Sequence, residues 1–223
     1  MSEPFVLHEA DDWLVIEKPA GLHTVARKKV EPSDSGELGD SVEAWLRTHR
    51  PELAGLNEAG LVNRLDFGTS GCVLVARSEK EQERLRIGMR DGSIGKSYHA
   101  LVEGGLSETG RFKLYFTSRY KRSKKVTVRD SGDTRHLGRC AWHVRARHQG
   151  VLLLEIELRG AGRRHQVRAG FAHLGAPLLG DALYGGAPWA YDRPALHAWK
   201  LHIDGETVES VSPLVASVTS ADG

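Results

Sequence analysis

The sequence predicts an α+β fold, a mainly antiparallel mixed sheet flanked by helices and loops. Two observations carry that expectation. Strand-like runs are many and helix-like runs few, so a sheet forms the main layer and helices cover its faces. The 223 residues are 40% hydrophobic and 27% charged, ordinary globular proportions that supply a sizeable core. No internal repeat, low-complexity tract or strong linker divides the chain, so a single domain is expected over residues 1–223, with its core at about 5–203.

The elements follow in order. Phe5 to Leu7 and Trp13 to Ile16 read as short strands around an acidic turn, and Lys18-Pro19-Ala20-Gly21 breaks the run. Residues 26–40 are polar and turn-rich and read as a loop. Ser41 caps a helix with Glu43 close behind, and Val42, Ala44, Trp45 and Leu46 give it apolar cover before Pro51. Leu61 to Val75 reads as strand, turn, strand. Ser78 opens a charged helix that Gly92 ends. Strands are expected at Ser97 to Val102, Phe112 to Phe116, Lys125 to Val128, Ala141 to Ala146 and Val151 to Leu158. Arg163 to Leu174 reads as a helix ending at Gly175, and Leu196 to Ile203 as the last strand.

Composition narrows the functional classes. Thirty-one Lys and Arg against 29 Asp and Glu leave a net charge of only +2, which neither demands nor excludes a polyanionic partner. Cys72 and Cys140 lie far apart and form neither a metal-spacing motif nor a disulfide framework, which fits a reducing compartment. The N-terminus, MSEPFVLHEADDW, is acidic and lacks the apolar centre of a signal peptide. No apolar run approaches the roughly 20 residues of a membrane span. A soluble cytoplasmic protein is expected, with no membrane association.

Four stretches carry candidate chemistry. In NRLDFGTSG, residues 63–71, strand alternation puts Val62, Arg64 and Asp66 on one face. A carboxylate between apolar runs is costly unless paired, so an arginine partner is expected. The other reading is a turn aspartate whose side chain accepts from the backbone amides that follow. The turn lacks the Lys-Ser/Thr ending of a phosphate-binding loop and the second spacer of a nucleophile elbow. In GRRHQVRAGFAHLG, residues 162–175, Arg164 and Arg168 would be neighbours on one helical face, with Val167, Phe171 and Leu174 as an apolar stripe. Guanidinium groups there suit phosphate or a bidentate carboxylate; a solvated basic face is the competing reading. His165 and His173 have the wrong spacing for a helical metal pair, so no metal is assigned. SRYKRSKKVTVR, residues 118–129, interleaves Tyr120 with Lys121, Arg122, Lys124 and Lys125. It suits a nucleic-acid backbone or, equally, a solvated hairpin loop. In KSYHALVEG, Lys96, Tyr98 and Ala100 share one face, where a tyrosine packs more often than it reacts.

Taken together and in order, these stretches resemble the RluA-type family of RNA pseudouridine synthases. Arg64-Leu65-Asp66-Phe67-Gly68-Thr69-Ser70-Gly71 is similar to the family's Arg-Leu-Asp-x-x-Thr-Ser-Gly, with Asn63 where a histidine is usual. Lys18-Pro19-Ala20-Gly21 is similar to its Lys-Pro-x-Gly, and Lys96-Ser97-Tyr98 to its Lys-x-Tyr. Gly162 through Arg168 matches Gly-Arg-x-His-Gln-x-Arg, Pro177 through Gly185 matches Pro-x-x-Gly-Asp-x-x-Tyr-Gly, and Leu196-His197-Ala198 matches Leu-His-Ala. Ala169-Gly170 stands where relatives often have Val-His, a departure that bears on packing beside the site.

The resemblance implies the pseudouridine synthase catalytic fold and isomerisation of a specific uridine in structured RNA, a ribosomal or transfer RNA stem-loop. The uridine must leave its stack for this. No cofactor is implied, because no redox change occurs. By the same resemblance, Asp66 is the essential carboxylate, Arg168 pairs with it and lowers its pKa, and Tyr98 packs on the uracil ring and, with assistance as a base, helps remove the C5 proton. Arg64 would contact RNA or fill the gap left by the flipped base. Arg163, Arg164, Lys121, Arg122, Lys124 and Lys125 are candidate RNA contacts, and Lys18 a structural or RNA contact. No separate N-terminal RNA-binding module is expected, and nothing marks a dimer helix, so a monomer is expected. Two other functions compete. A catalytically silent RNA-binding or RNA-folding protein on the same fold is weighed against by intact Asp66, Tyr98 and Arg168. A nucleoside hydrolase would need an aspartate cluster that is not apparent.

Overall fold

A computed structural model describes residues 2–26, 41–118, 120 and 123–219. Its described strands are β1 (Phe5–Glu9), β2 (Trp13–Lys18), β3 (Ser70–Ala76), β4 (Gly95–Glu103), β5 (Thr109–Thr117), β6 (Thr127–Arg129), β7 (Leu137–His148), β8 (Val151–Arg159), β9 (Leu196–Ile203) and β10 (Glu206–Glu209). They form one sheet in the order β1-β2-β3-β9-β4-β8-β7-β5-β6, with β10 pairing β9. Neighbours are antiparallel except β3 and β9, which run parallel where Ser70 faces His197. The expected α+β class and mixed, mainly antiparallel sheet are what the chain forms.

The helices are α1 (Val42–His49), α2 (Glu79–Asp91), α3 (Gln166–His173) and α4 (Pro213–Thr219). Local chemistry sets their ends. Ser41 Oγ accepts from the Ala44 amide at 3.1 Å, and Ser78 Oγ from the Glu81 amide at 3.2 Å, each satisfying a free first-turn donor. All of β3 is buried because the sheet is covered on both sides there. Val73 and Val75 pack with Leu14 and Ile16 on one side. Leu74 and Ala76 pack with Trp13, Val15 and the α2 residues Leu85 and Met89 on the other.

The structure departs from the sequence reading at several places. Leu61 to Asp66 is not a ladder strand. Leu61 makes one isolated bridge to Val75, and the Val62 amide donates to the Leu74 carbonyl at 2.9 Å. The Leu74 amide then donates to Asn63 Oδ1 at 2.8 Å. A side-chain acceptor thus takes the next backbone donor, and the main chain is free to peel away toward the site. This is the work done by Asn63 at the position of the family's histidine. Strand β6 lies at Thr127–Arg129, later than expected, and the loop expected at residues 26–40 lies, beyond Ala26, outside the described residues.

Two elements were not anticipated. β10 follows a two-residue turn in which Asp204 and Gly205 have φ of 52° and 85°. Asp-Gly is a strong hairpin signal, because both positions need the left-handed region, but Val208 alone of Glu206–Glu209 is buried. Helix α4 is short and rich in β-branched residues, so propensity argues against it. It forms because Leu214 and Val218, one turn apart, cover Leu101 and Leu153.

Two buried histidines give the fold a pH dependence. His197 is 1% exposed, with Nδ1 2.9 Å from Ser70 Oγ and Nε2 2.9 Å from Ser210 Oγ. His99 stacks on Trp199 at 4.5 Å, and neither ring nitrogen has a hydrogen-bond partner among the described residues. Burial lowers each to about 4 from an ordinary 6.5. The unfolded chain therefore binds protons first as pH falls. Stability is full above 6.5 and is lost progressively down to about 4, by about 2–3 kcal/mol for each histidine. His99→Phe keeps the stacking and removes two unpaired polar atoms. It should raise the urea midpoint at neutral pH and flatten the acid slope; an unchanged slope would show that His99 is solvated.

Candidate active site

The Asp66 turn is pinned before it reaches the site. Thr24 Oγ1 accepts from the Leu65 amide at 3.0 Å and donates to the Leu65 carbonyl at 2.9 Å. Lys18 is fully buried, and its Nζ donates to the carbonyls of Pro19 at 2.9 Å and Leu22 at 2.7 Å, with Phe67 more distant at 3.4 Å. Burial lowers its pKa to about 7. Lys18 is thus a structural tie between the Lys-Pro turn and the Asp66 turn, out of reach of RNA. The Asp66 carbonyl accepts from the Thr69 amide at 3.0 Å and closes the turn. Backbone closes this turn, so the carboxylate is free to point elsewhere.

It points to Arg168. Arg168 Nη1 donates to Asp66 Oδ2 at 3.0 Å, across 102 residues of sequence. The other side of the guanidinium is held by Asp181, a residue the sequence reading did not single out: Nε donates to Oδ2 at 2.6 Å and Nη2 to Oδ1 at 2.8 Å. Asp181 is 1% exposed. Burial works against the Arg168 charge, but Asp181 and Asp66 more than offset it and its pKa is pushed up. A permanently charged guanidinium, clamped bidentately from behind, aims its remaining edge at Asp66. Asp66 Oδ1 has no hydrogen bond among the described residues, and Asp66 lines an open cavity of about 720 Å³ with His165, Arg168 and Arg193.

α3 reaches this arrangement by starting late. His165 is its N-cap, in the left-handed region at φ 54°, and Arg163 and Arg164 precede the helix. The expected shared face of Arg164 and Arg168 therefore does not form, because the left-handed residue between them resets the phase. Arg164 is exposed and its Nη2 donates to the Ser123 carbonyl at 2.7 Å. Arg163 Nε donates to the Leu137 carbonyl at 2.8 Å, a bond to the sheet. Leu174 is 40% exposed and lies outside the stripe of Val167 and Phe171. Gly170 answers the Ala-Gly departure: a Cβ there would lie 2.5 Å from Phe112 Cζ, so the ring occupies the space a side chain would need.

His165 and Tyr184 complete the site, and the sequence reading assigned neither a role. The Val126 amide donates to Tyr184 Oη at 3.0 Å, and the phenol shares a hydrogen bond with His165 Nδ1, 2.9 Å away. The other ring nitrogen, Nε2, lies 3.8 Å from Asp66 Oδ2. Burial lowers the His165 pKa, while the Asp66 charge opposes this. The Tyr184 ring lies 5.5 Å from the Arg168 guanidinium and 5.9 Å from Lys125 Nζ. Both neighbours were signalled only by their place in motifs: His165 in Gly-Arg-x-His-Gln-x-Arg, Tyr184 in Gly-Asp-x-x-Tyr-Gly.

Tyr98 lies on β4 in the core beside the site, and its phenol pKa is pushed up by burial and then by the Asp66 charge. Arg64 is exposed two residues before Asp66. Lys124 lines the cavity, and Lys125 is exposed over Tyr184. Lys121 and Arg122 lie outside the described residues.

Comparison with known proteins covers most of the segments that build this site. The sequence profile described as RNA pseudouridylate synthase matches residues 12–173, a span that includes Asp66, Tyr98 and Arg168. Ribosomal large subunit pseudouridine synthase D of Xanthomonas campestris pv. campestris is 34% identical over 94% of this chain and 65% of its own length. The uncharacterized RNA pseudouridine synthase YlyB of Bacillus subtilis is 31% identical over 96% of this chain and 71% of its own. The chain thus spans about two-thirds of the length of these relatives. Among solved structures, human RNA pseudouridylate synthase domain containing 1 superposes with a TM-score of 0.70 at 22% identity, over 98% of this chain and 87% of that one, and shares the fold. Since the profile covers most of the sheet and 162 of the chain's 223 residues, the half-buried Asp66–Arg168 pair among them, the chain belongs to the RNA pseudouridylate synthase family.

Proposed function

We propose that the chain is an RNA pseudouridine synthase that isomerises a uridine in structured RNA, with Asp66 as its essential carboxylate. The observation that carries this reading is the half-open Asp66–Arg168–Asp181 array: one carboxylate oxygen held by a clamped guanidinium, on an aspartate that lines an open cavity. In the reaction the C1′–N1 bond breaks, a C1′–C5 bond forms, the C5 proton leaves and N1 ends protonated. Asp66 serves either as nucleophile at C1′ or as the base for a ribose proton, and both roles need an ionised, fixed oxygen. Arg168 supplies the direction, through its 3.0 Å bond to Oδ2. Tyr98, with its phenol held neutral, acts by packing on the uracil rather than as a free base. Arg64, Lys124 and Lys125 are the proposed RNA contacts among the described residues. Arg163 and Arg164 serve by holding the site's flanks, with Arg164 bracing the basic segment. The chain is proposed to act as one catalytic unit, as a monomer and in the cytoplasm. No described helix is long and apolar enough to cross a membrane.

Tritium at uracil C5 tests the reaction. Ribosomal and transfer RNA carrying it are incubated separately with the protein, and tritium release and free uracil are followed. Release without free uracil is expected. The names of the relatives make large-subunit ribosomal RNA the first pool to try. Free uracil would identify a hydrolase instead, and binding without release a silent RNA-binding protein. In the same assay Tyr184→Phe should lower kcat/KM about 10-fold, the equivalent of one hydrogen bond of about 1.4 kcal/mol, and lower the urea midpoint modestly because the Val126 amide loses its acceptor. Wild-type kinetics in that variant would remove the Tyr184 hydroxyl from the mechanism.

A further inference from the structure

Two large aromatic rings stand exposed near the same rim. Phe67 and Tyr191 are each 52% exposed. Single exposed rings are ordinary; these two are held on a braced frame. The Phe67 ring rests on His23 at 4.6 Å, and its carbonyl accepts from the Gly21 amide at 2.8 Å. Tyr191 meets Trp189 edge-on at 5.0 Å. Trp189 Nε1 donates to the Arg193 carbonyl at 2.6 Å, and the Arg193 amide to the Tyr191 carbonyl at 2.9 Å. The Arg193 guanidinium lies 5.1 Å from the Tyr191 ring and 6.0 Å from Trp189. The two loops touch, since a Cβ on Gly68 would lie 3.1 Å from Pro194 Cδ. Phe67, Gly68, Arg193 and Pro194 all line the cavity that holds Asp66.

We infer that Phe67, Tyr191 and Arg193 form a stacking platform for unpaired RNA bases flanking the uridine at Asp66. This rests on the proposed function for its substrate class. Extruding a uridine strips its neighbours of a stacking partner, and aromatic or guanidinium planes replace it. The site fits bases rather than phosphates. Arg193 is directed at ring faces, and the Asp192 carboxylate at the same rim disfavours a phosphate. Stacking is tolerant of base identity because every base has a π face, so the platform holds the strand while another part of the protein or the RNA fold sets the sequence.

The test uses a fluorescein-labelled single-stranded decauridine and a copy carrying 5-iodouridine. Anisotropy gives the affinity; irradiation and peptide mapping give the contacts. Crosslinks at Phe67 and Tyr191 are expected. Tyr191→Ala and Phe67→Ala should each bind roughly 5- to 100-fold more weakly, with Tyr191→Trp restoring affinity and all variants keeping the wild-type urea midpoint. Wild-type affinity in both alanine variants, or crosslinks confined to residues 118–129, overturns the platform. Tritium release by the wild type is read separately. Release with no crosslink at Phe67 or Tyr191 sinks the platform alone. Crosslinks there with no release from any RNA pool sink the isomerase and leave the platform standing.

Discussion

Asp66→Asn is expected to abolish pseudouridine formation, by roughly 10³-fold or more, while leaving the fold and RNA binding intact. The substitution is nearly isosteric. The carboxamide oxygen can still accept from Arg168 Nη1, which now donates to Asp66 Oδ2 at 3.0 Å. The turn itself is closed by backbone, through the Thr69 amide and the Asp66 carbonyl, and by Thr24 on Leu65. What disappears is the negative charge of a carboxyl group that lines the cavity. Tritium release should therefore vanish, while the urea midpoint and the affinity for ribosomal RNA stay close to wild type. Equal pseudouridine formation by the variant would end the assignment of Asp66. Loss of folding together with activity would show that the carboxylate is structural.

Arg168→Met should cost both activity and stability, and the two losses can be separated. Asp181 is 1% exposed and makes a bidentate pair with Arg168. Removing the guanidinium leaves a buried carboxylate without its counter-charge, which typically destabilises by about 3–5 kcal/mol. The double variant Arg168→Met with Asp181→Leu removes both charges and should recover much of that stability, because replacing a buried pair with apolar groups is often close to neutral. Activity should stay absent in both, since neither orients Asp66. Urea unfolding and tritium release on the same preparations decide it. A double variant that regains turnover would show that Arg168 is only a structural counter-charge for Asp181. A single variant as stable as wild type would mean that Asp181 is solvated.

Much of the sheet was legible because the responsible signals are local. β2, β4, β8 and β9 are apolar runs bounded by turn residues, and α1 and α2 begin at serine caps, so neighbours within a few residues suffice to place them. The misreadings share one cause. Leu61 to Asp66 has strand periodicity, but Asn63 takes the Leu74 donor and ends the ladder. Arg163 to Leu174 has helix periodicity, but His165 takes a left-handed conformation that is uncommon for any residue but glycine, and the bond to Tyr184 helps hold it. Helix α4 has poor propensity and exists because it covers Leu101 and Leu153.

The same division runs through the site. The sequence by itself determined that a carboxylate at Asp66 needed a partner, either a cation or the backbone amides of its own turn, because an unpaired charge between apolar runs is too costly. Its ordered motifs singled out Asp66, Tyr98 and Arg168 together. Only the tertiary structure decided how that partner is held. Asp66 and Arg168 are 102 residues apart, and Asp181 fixes the guanidinium from a third segment. Tyr184 bridges His165 Nδ1 and the Val126 amide. Pairing energy depends on distance, direction and exclusion of water, and those are properties of the packed chain rather than of any stretch of it.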